Sequence, residues 1–279
     1  MKKKAQEQSV APEFCRRWSW HGGNGSMIWQ LMFLGSGNVL GIKRFPARRS
    51  ASLFCLDSET GRNLCDDFVL AYGDHSDTPV GDGWMIGLET THGELTFCHS
   101  YQQGSPEHLG IWAVDLPGRH VVWSRPDLVF AANLGDFFLA YRTSVFAGFP
   151  ERDYRLVDPL TGCELEHIGT GHERPNQLRN QAESEESRQG ILLPELLLSG
   201  PEPGERIVCG ASRVESCHHM VADGGSWVSG LKILLEDRTL YEDTMATNAP
   251  MPLFNNFLIR GSALYYIKDN EELTSVLIK

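Results

Sequence analysis

The sequence predicts an all-β chain of repeated four-stranded antiparallel meanders, and a recurring hairpin is the main reason. An alternating apolar strand, an Asp, a short turn and a Gly occur at residues 53–62, 111–119 and 154–163. The Asp carboxylate can accept hydrogen bonds from turn amides and the Gly can adopt a positive φ, so each copy forms a tight hairpin. The marker residues Asp57, Asp115 and Asp158 lie 58 and 43 residues apart. Such spacings are typical of repeated β units.

Strand patterns around each hairpin complete three meanders of four strands. Their predicted strands are 27–33, 38–44, 51–57 and 62–70; then 84–89, 94–98, 110–115 and 119–124; then 128–132, 137–142, 153–158 and 163–168. A weaker fourth meander can be assembled from 206–209, 214–222, 230–236 and 239–243. Because propeller repeats run about 40 to 50 residues, these meanders predict the blades of a β-propeller.

Each end of the chain leaves strands outside a complete meander. Only three strands are predicted near the C-terminus, at 253–260, 263–268 and 272–278, and a lone strand is predicted at 14–20. We expect the N-terminal strand to complete the last blade, because ring closure removes the sheet edges that invite aggregation. The count gives five blades, with six or seven as alternatives.

The hairpin motif resembles the turn signature of quinoprotein-like and WD40-like β-propellers. Residues 56–61 (Leu-Asp-Ser-Glu-Thr-Gly) and 157–162 (Val-Asp-Pro-Leu-Thr-Gly) carry the similarity, and 114–118 is one residue shorter. The whole chain also resembles an uncharacterised bacterial family, a domain of unknown function, in its Ile28-Trp29 strand and its Gly83-Trp84 pair. These resemblances imply a propeller fold and no known activity. The quinone-dependent dehydrogenases carry a vicinal Cys-Cys pair that this sequence lacks, so quinone chemistry is not expected.

We expect one β-propeller domain over residues 14–279, preceded by a disordered tail at 1–13. Residues 169–189 are polar and charged, and they predict a mobile surface loop. Residues 191–199 are apolar but contain Pro194, and they fit a short helix, an extra strand or packing for the loop.

Composition and charge limit the classes of partner. The formal net charge of −11 disfavours nucleic acid and anionic membrane surfaces. No apolar stretch of the signal-peptide kind follows Lys2, Lys3 and Lys4, and the longest apolar run, 191–198, is far short of the ~20 residues of a membrane helix. We therefore expect a cytoplasmic protein without membrane insertion, whose cysteines remain reduced.

The sequence contains no strong catalytic or metal-binding motif. Residues 35–41 resemble a Gly-rich dinucleotide loop, but a strand follows them, so a hairpin turn is favoured. Cys217, His218 and His219 are adjacent in a predicted strand and would point to opposite faces. The densest titratable cluster, 74–77 with Asp82, suits a cation or acid–base work, but a solvated loop is favoured. We expect no cofactor and no metal.

Loop lengths distinguish the two faces of the predicted propeller. Turns within the first and last strand pairs of each meander are short, whereas the other connections, at 45–50, 71–82, 99–108, 143–152 and 169–189, are mostly long. Binding residues concentrate on loops held by a rigid scaffold, so the face with long loops is the predicted binding surface. Its candidate binding residues are Arg48, Arg49, Asp74, His75, Asp77, Tyr101, Phe146 and Phe149.

Aromatic side chains beside charges are typical of protein interfaces. We therefore predict a non-catalytic protein-binding or scaffolding module whose partner is another protein and whose oligomeric state is open. The alternative is a propeller hydrolase, lactonase-like or glycosidase-like, with a metal or carboxylates in the central funnel. Carboxylates or His side chains converging from several blades would favour the enzyme.

Overall fold

The computed structural model describes residues 16–72, 78–102, 104–197, 203–221, 225–236 and 238–278. Its strands, in chain order, are β1 (Arg16–His21), β2 (Met27–Phe33), β3 (Val39–Phe45), β4 (Ser50–Leu56), β5 (Asn63–Phe68), β6 (Ile86–His92), β7 (Leu95–Tyr101), β8 (His108–Asp115), β9 (His120–Arg125), β10 (Val129–Asn133), β11 (Phe138–Phe146), β12 (Phe149–Val157), β13 (Glu164–Gly169), β14 (Ile191–Leu192), β15 (Glu195–Leu197), β16 (Gly204–Cys209), β17 (Ser212–Met220), β18 (Trp227–Leu235), β19 (Arg238–Ala249), β20 (Phe257–Arg260), β21 (Ala263–Lys268) and β22 (Glu272–Leu277). Two α-helices, α1 (Glu173–Gln181) and α2 (Glu185–Gln189), and short 3-10 turns at Pro46–Arg48 and Val80–Gly83 accompany them.

The strands form five sheets of four or five strands, in which neighbours such as β3 and β4, β7 and β8, β11 and β12, and β17 and β18 pair antiparallel. Sheet I is β2-β3-β4-β5, sheet II is β6-β7-β8-β9 and sheet III is β10-β11-β12-β13. Sheet IV is β15-β16-β17-β18-β19, and sheet V is β1-β22-β21-β20-β14. The all-β fold class with propeller-type blades is thus confirmed, including the weak fourth meander and the N-terminal strand in the last sheet.

The repeated hairpins have the predicted turn chemistry, with one correction. Asp57 Oδ1 accepts from the backbone N–H of Glu59 at 3.1 Å and of Thr60 at 2.9 Å, and Asp158 Oδ1 accepts from that of Leu160 at 2.7 Å. The positive φ falls four residues after the Asp, at Gly61 and Gly162. In the shorter second copy that position is Arg119, with φ of 58°, so Gly118 does not supply the turn as the sequence predicted.

The chain divides into two compact units, one of residues 1–19, 192–269 and 274–279 and the other of residues 20–191 and 270–273. Alternating strand residues fill the core of the larger unit with buried side chains such as Leu53, Trp112 and Val114. In the smaller unit, side chains such as Leu231, Ile233 and Tyr266 do the same. The expectation of one domain over 14–279 stays a prediction, and the expected tail at 1–13 lies outside the described residues.

The loop expected at 169–189 is wrong in its secondary structure, because helices α1 and α2 occupy most of it. Ser184 caps α2 by accepting from the N–H of Ser187 at 3.2 Å, and Gly190 ends it with φ of 65°. A Ser at the N-cap and a Gly after the last turn are sequence signals of a helix, although the polar composition of this segment favours a loop. Helix α2 is anchored where Arg188 donates to Thr90 Oγ1 at 2.7 Å and Gln189 Oε1 accepts from Phe33 N–H at 2.9 Å.

The apolar segment after α2 forms two short extra strands, β14 and β15. Strand β14 joins sheet V at one edge, and β15 joins sheet IV by pairing with β16. No helix in the described ranges is long and apolar enough to cross a membrane.

Candidate functional site

Strands β11 and β12 form a ribbon that extends beyond the buried core, which corrects the loop predicted at 143–152. Their pairing is regular from Phe138 opposite Val157 to Phe146 opposite Phe149. Buried residues end at Tyr141 on β11, and every residue from 142 to 150 is exposed. Ala147 and Gly148 make the two-residue turn with φ of 50° and 86°, the positive values that suit a two-residue hairpin turn.

The tip of this ribbon is apolar. Val145, Phe146 and Phe149 are 72%, 70% and 73% exposed, so none of them belongs to a core. Exposed aromatic residues grouped on a projecting element indicate a contact surface. We call residues 145–150 the hairpin tip.

A cleft of about 400 Å³ lies along one side of the ribbon. It is lined by Glu107, Thr143, Pro150, Glu151, Arg152, Tyr154, His172, Asn176 and Arg179. Three of the predicted long segments, 99–108, 143–152 and 169–189, therefore contribute to one surface. The Arg152 guanidinium lies over the Tyr141 ring at 4.8 Å, which orients this cation at the cleft.

The structure brings together only some of the predicted binding residues. Phe146 and Phe149 form the hairpin tip, and Tyr101 ends β7. Arg48 and Arg49 are exposed at the 3-10 turn after β3, where the Arg48 guanidinium lies 4.0 Å from the Phe45 ring centroid. Asp74, His75 and Asp77 lie outside the described residues.

A cluster of Glu89, His99 and His108 in sheet II was not predicted. Glu89 is the extra residue of a β-bulge in β6, because Leu88 pairs with Cys98 and Thr90 with Phe97. A second irregularity lies beside His99, between the pairs Cys98–Trp112 and Ser100–Leu109. A β-bulge changes the direction in which nearby side chains point. At these two bulges, the carboxylate from β6 lies beside the imidazoles from β7 and β8.

One carboxylate oxygen contacts both rings of this cluster. Glu89 Oε1 lies 2.9 Å from His99 Nδ1 and 2.5 Å from His108 Nδ1. The two imidazoles stack with centroids 3.5 Å apart and planes 9° from parallel. The Tyr101 ring meets both edge-on, at 4.7 Å and 5.1 Å. One sequence-predicted residue therefore borders a site that sequence reasoning missed.

Close packing encloses the inner part of the cluster. A Cβ placed on Gly87 would lie 2.5 Å from the His99 ring and 3.3 Å from the Tyr101 hydroxyl. The His99 side chain is 1% exposed and that of Glu89 10%, whereas His108 is 36% exposed. The cluster therefore faces solvent mainly through His108.

The environment shifts the three pKa values in different directions. Burial alone would raise the pKa of Glu89, but the contacts with His108 and His99 outweigh it and lower that pKa. Burial lowers the pKa of His99, and the contact with Glu89 raises the pKa of His108. These directions favour an ionised carboxylate beside a neutral buried imidazole.

A separate polar network is buried in the smaller unit. His218 Nδ1 lies 2.8 Å from Ser229 Oγ, its Nε2 lies 3.2 Å from Ser216 Oγ, and Glu205 Oε2 stands 3.9 Å from that Nε2. Glu205, His218 and Ser229 are all 0% exposed, so this Ser-His-Glu set is closed to solvent. It links β16, β17 and β18, and Asn255 N–H donates to Glu205 Oε1 at 2.8 Å.

Replacing Glu205 with Gln is expected to make stability less dependent on pH. Burial raises the pKa of Glu205 above its ordinary value of 4.5, so its contribution to stability is present below that value and is lost as pH rises through the folded-state pKa. The Gln variant keeps an acceptor for Asn255 N–H and lacks this loss. Denaturant unfolding at about pH 5 and about pH 8 should show the variant gaining stability relative to the wild type at the higher pH.

Glu215→Gln is the control, because the Glu215 carboxylate is partly exposed and pairs with Arg206 at 2.8 Å. It should show no such relative gain. A Glu205→Gln variant that trails the wild type equally at both pH values would contradict the buried protonated carboxyl.

Comparisons with known proteins identify no family for this chain. No protein-family model matches the chain, and no curated protein sequence matches it. Among solved structures it is similar to apo AtxE2 isopeptidase, at 11% identity and a TM-score of 0.37, covering 90% of this chain and 49% of that one. It is also similar to Pyrococcus horikoshii acylaminoacyl peptidase, at 9% identity and a TM-score of 0.32, covering 88% and 44%. TolB from Acinetobacter baumannii gives 10% identity, a TM-score of 0.25 and coverage of 90% and 63%.

The chain spans about half the length of the two peptidases that it matches. Likenesses at these TM-scores carry no argument about fold or activity. The resemblance of the hairpin motif to propeller blades is supported by the five sheets themselves, and the resemblance to a bacterial family of unknown function finds no matching family model.

Proposed function

We propose that the protein is a recognition module that binds another protein through the hairpin tip and the neighbouring cleft. The observation that carries this proposal is the exposure of Phe146 and Phe149, 70% and 73%, at the end of a regularly paired ribbon. Aromatic side chains in such a position contribute large contact areas, and they often carry most of an interface's binding energy.

The surroundings of the tip suit a protein interface. Arg142, Thr143 and Ser144 precede the tip and Glu151 and Arg152 follow it, giving an apolar centre with a polar rim. The cleft beside it adds Arg179 and Glu107, so both signs of charge are present. An anionic membrane is a weaker occupant, because the chain carries a formal net charge of −11.

The test is a double substitution at the tip, Phe146→Ser with Phe149→Ser. We expect capture of the partner from native lysate to weaken on the order of tenfold or more, equivalent to ~1.4 kcal/mol. Thermal stability should stay within about 0.5 kcal/mol of the wild type, because both rings are outside the core. Quantitative mass spectrometry of the captured proteins, repeated with the purified partner by calorimetry, gives the readout.

Leu160→Ser is the matched control. Leu160 is 58% exposed in the turn between β12 and β13 of the same sheet, so it loses a comparable exposed apolar side chain away from the tip. Equal loss of capture in both variants would mean that exposed apolar side chains bind proteins nonspecifically. Loss of capture only in the control would place the binding surface at the opposite end of sheet III. If the tip variant captures the same proteins at wild-type levels, the proposal is wrong.

A hydrolase is the second candidate, and the Glu89–His108 contact is the observation that favours it. A carboxylate 2.5 Å from a partly exposed imidazole can act as an acid–base pair. Its rank is second because the Ser-His-Glu set of the smaller unit is closed to solvent. Ester, lactone and glycoside substrates turned over by the wild type and not by Glu89→Gln would place it first.

A further inference from the structure

We propose that Glu89, His99 and His108 bind one divalent transition-metal ion through a carboxylate oxygen and two imidazole nitrogens. Their ligand atoms all lie within 4.8 Å of one another. Imidazole nitrogens suit Zn²⁺, Fe²⁺, Co²⁺ and Ni²⁺, whereas Mg²⁺ and Ca²⁺ prefer all-oxygen sites. The site is independent of the hairpin tip, and it runs against the sequence-based expectation that no metal is bound.

His99 supplies a second observation that points to a ligand. Its side chain is 1% exposed, and neither ring nitrogen makes a hydrogen bond to any residue that the structure describes. Nδ1 is 2.9 Å from Glu89 Oε1, a distance within ion-pair range, but the direction does not meet hydrogen-bond geometry. Nδ1 therefore has an ionic partner but no well-directed hydrogen bond, and buried side-chain nitrogens without a directed bond are uncommon in native proteins. Coordination to a metal would give this nitrogen a directed bond.

The charge balance also suits a cation. Glu89 contributes one negative charge, and the imidazoles bind a metal in their neutral form. His108 and Arg44 both act electrostatically on His99; His108 is itself a proposed ligand, and Arg44 is engaged elsewhere. Its guanidinium lies 4.8 Å from the Trp29 ring centroid and 5.3 Å from that of Trp84, and it donates to Ile86 O at 3.1 Å.

Metal binding requires a small rearrangement that the cluster can accommodate. Ligand atoms around a tetrahedral Zn²⁺ lie about 3.3 Å apart, whereas Glu89 Oε1 is 2.9 Å and 2.5 Å from the two Nδ1 atoms. The ligands must therefore separate by less than an ångström, and the stacked rings must turn out of parallel. His108 is 36% exposed, so it has room to turn while His99 stays fixed by its packing against Gly87.

Three protein ligands leave at least one coordination position open. Structural zinc sites use four protein ligands, whereas catalytic zinc sites and two-His-one-carboxylate iron sites keep positions for water or substrate. The open position here would be reached from the His108 side, the most exposed part of the cluster. The site therefore has the ligand count of an exchangeable, reactive metal centre.

The test uses the full chain, stripped with a chelator and titrated separately with Zn²⁺ and Co²⁺. We expect one ion per chain by calorimetry and elemental analysis, visible absorption from bound Co²⁺, and a melting temperature that rises with free Zn²⁺ as ligand linkage requires. Glu89→Gln, His99→Gln and His108→Gln should each weaken Zn²⁺ binding ~100-fold or more, because loss of a direct ligand should cost at least as much as the ~10–100-fold caused by loss of an outer-shell partner.

His120→Gln is the matched control, since His120 is an exposed histidine in the same sheet and stands 4.0 Å from Asp115. It should bind Zn²⁺ as the wild type does. His99→Gln has the greatest risk of misfolding because the ring is buried. The decisive variant is therefore His108→Gln, because the His108 ring is partly exposed. Absence of saturable Zn²⁺ and Co²⁺ binding, or binding unchanged in a folded His108→Gln variant, overturns the proposal.

Discussion

Removing residues 1–22 is expected to leave a chain that aggregates or melts far below the full-length protein. The deletion removes β1, whose neighbour β22 would become an unpaired sheet edge. It also removes two aromatic contacts, Trp18 with Tyr265 at 5.9 Å and Trp20 with Phe54 at 4.5 Å. The Gly22 carbonyl, which accepts from Lys43 Nζ at 3.0 Å, is lost as well.

Two further variants keep this prediction testable if the truncated chain is insoluble. Deletion of residues 1–12 stops before the described strand and should leave the thermal melt unchanged. Trp18→Ala in the full chain should lower the free energy of unfolding by about 3–5 kcal/mol, because Trp18 is 7% exposed. Equal melts for both truncations would show that β1 contributes nothing to sheet V.

Lys43 adds to the expected effect because its ammonium depends on the removed segment. The Lys43 side chain is 2% exposed and pairs with Asp66 at 2.5 Å and Asp67 at 3.1 Å. Loss of the Gly22 carbonyl and the Trp20 ring, 5.4 Å from Nζ, leaves this buried cation with fewer partners. Removing partners from a buried charge is strongly destabilising.

The strand order was predictable because local signals determine it. Each predicted meander combines alternating apolar residues with turn residues that permit one connection, and neighbouring strands in the chain become neighbours in the sheet. The Asp57 and Asp158 turns are clear cases, since the carboxylate and the Gly four residues later each have one local role. The second hairpin shows the limit of the pattern. Its motif is one residue shorter, so the left-handed position four residues after the Asp is Arg119 and not Gly118.

The errors arose where composition was used in place of capping and pairing signals. Residues 169–189 are polar, yet Ser184 and Gly190 cap a helix held by Arg188 and Gln189. Residues 143–152 are predicted as a loop because the apolar alternation of the strand ends at Arg142. A strand that leaves the core no longer needs such alternation, so periodicity underestimates its length.

The metal-ligand cluster could not be recognised from spacing. Glu89, His99 and His108 stand on three different strands, and their convergence depends on cross-strand register and on two bulges. Metal motifs read from sequence rely on ligands close together in one element. The nearest sequence signal is His99 and Tyr101 followed by His108, in a segment assigned to a loop.

Gly41→Ala is expected to destabilise the protein by about 3 kcal/mol, at the upper end for an added methyl group in a packed core. The residue lies in the middle of β3, between Leu31 of β2 and Phe54 of β4. A Cβ at this position would lie 2.3 Å from the Gln30 carbonyl oxygen and 2.6 Å from the Phe54 ring. Glycine in a strand interior marks such a close approach, and this Gly ends the segment that resembled a nucleotide loop.

The response of Gly41→Ala to a second substitution separates the two clashes. Phe54→Leu relieves contact with the ring, but the Gln30 carbonyl belongs to the backbone and cannot move without disturbing the β2–β3 pairing. The double variant should therefore recover only part of the loss, as non-additive neighbours do. Gly171→Ala is the control, because nothing lies within 4 Å of its added Cβ, and its unfolding free energy should change by less than about 0.5 kcal/mol. Gly41→Ala could instead unfold at the same denaturant concentration as the wild type. Phe54 would then not pack over Gly41, and the contact between β3 and β4 that also positions Phe54 beside Trp20 would be wrong.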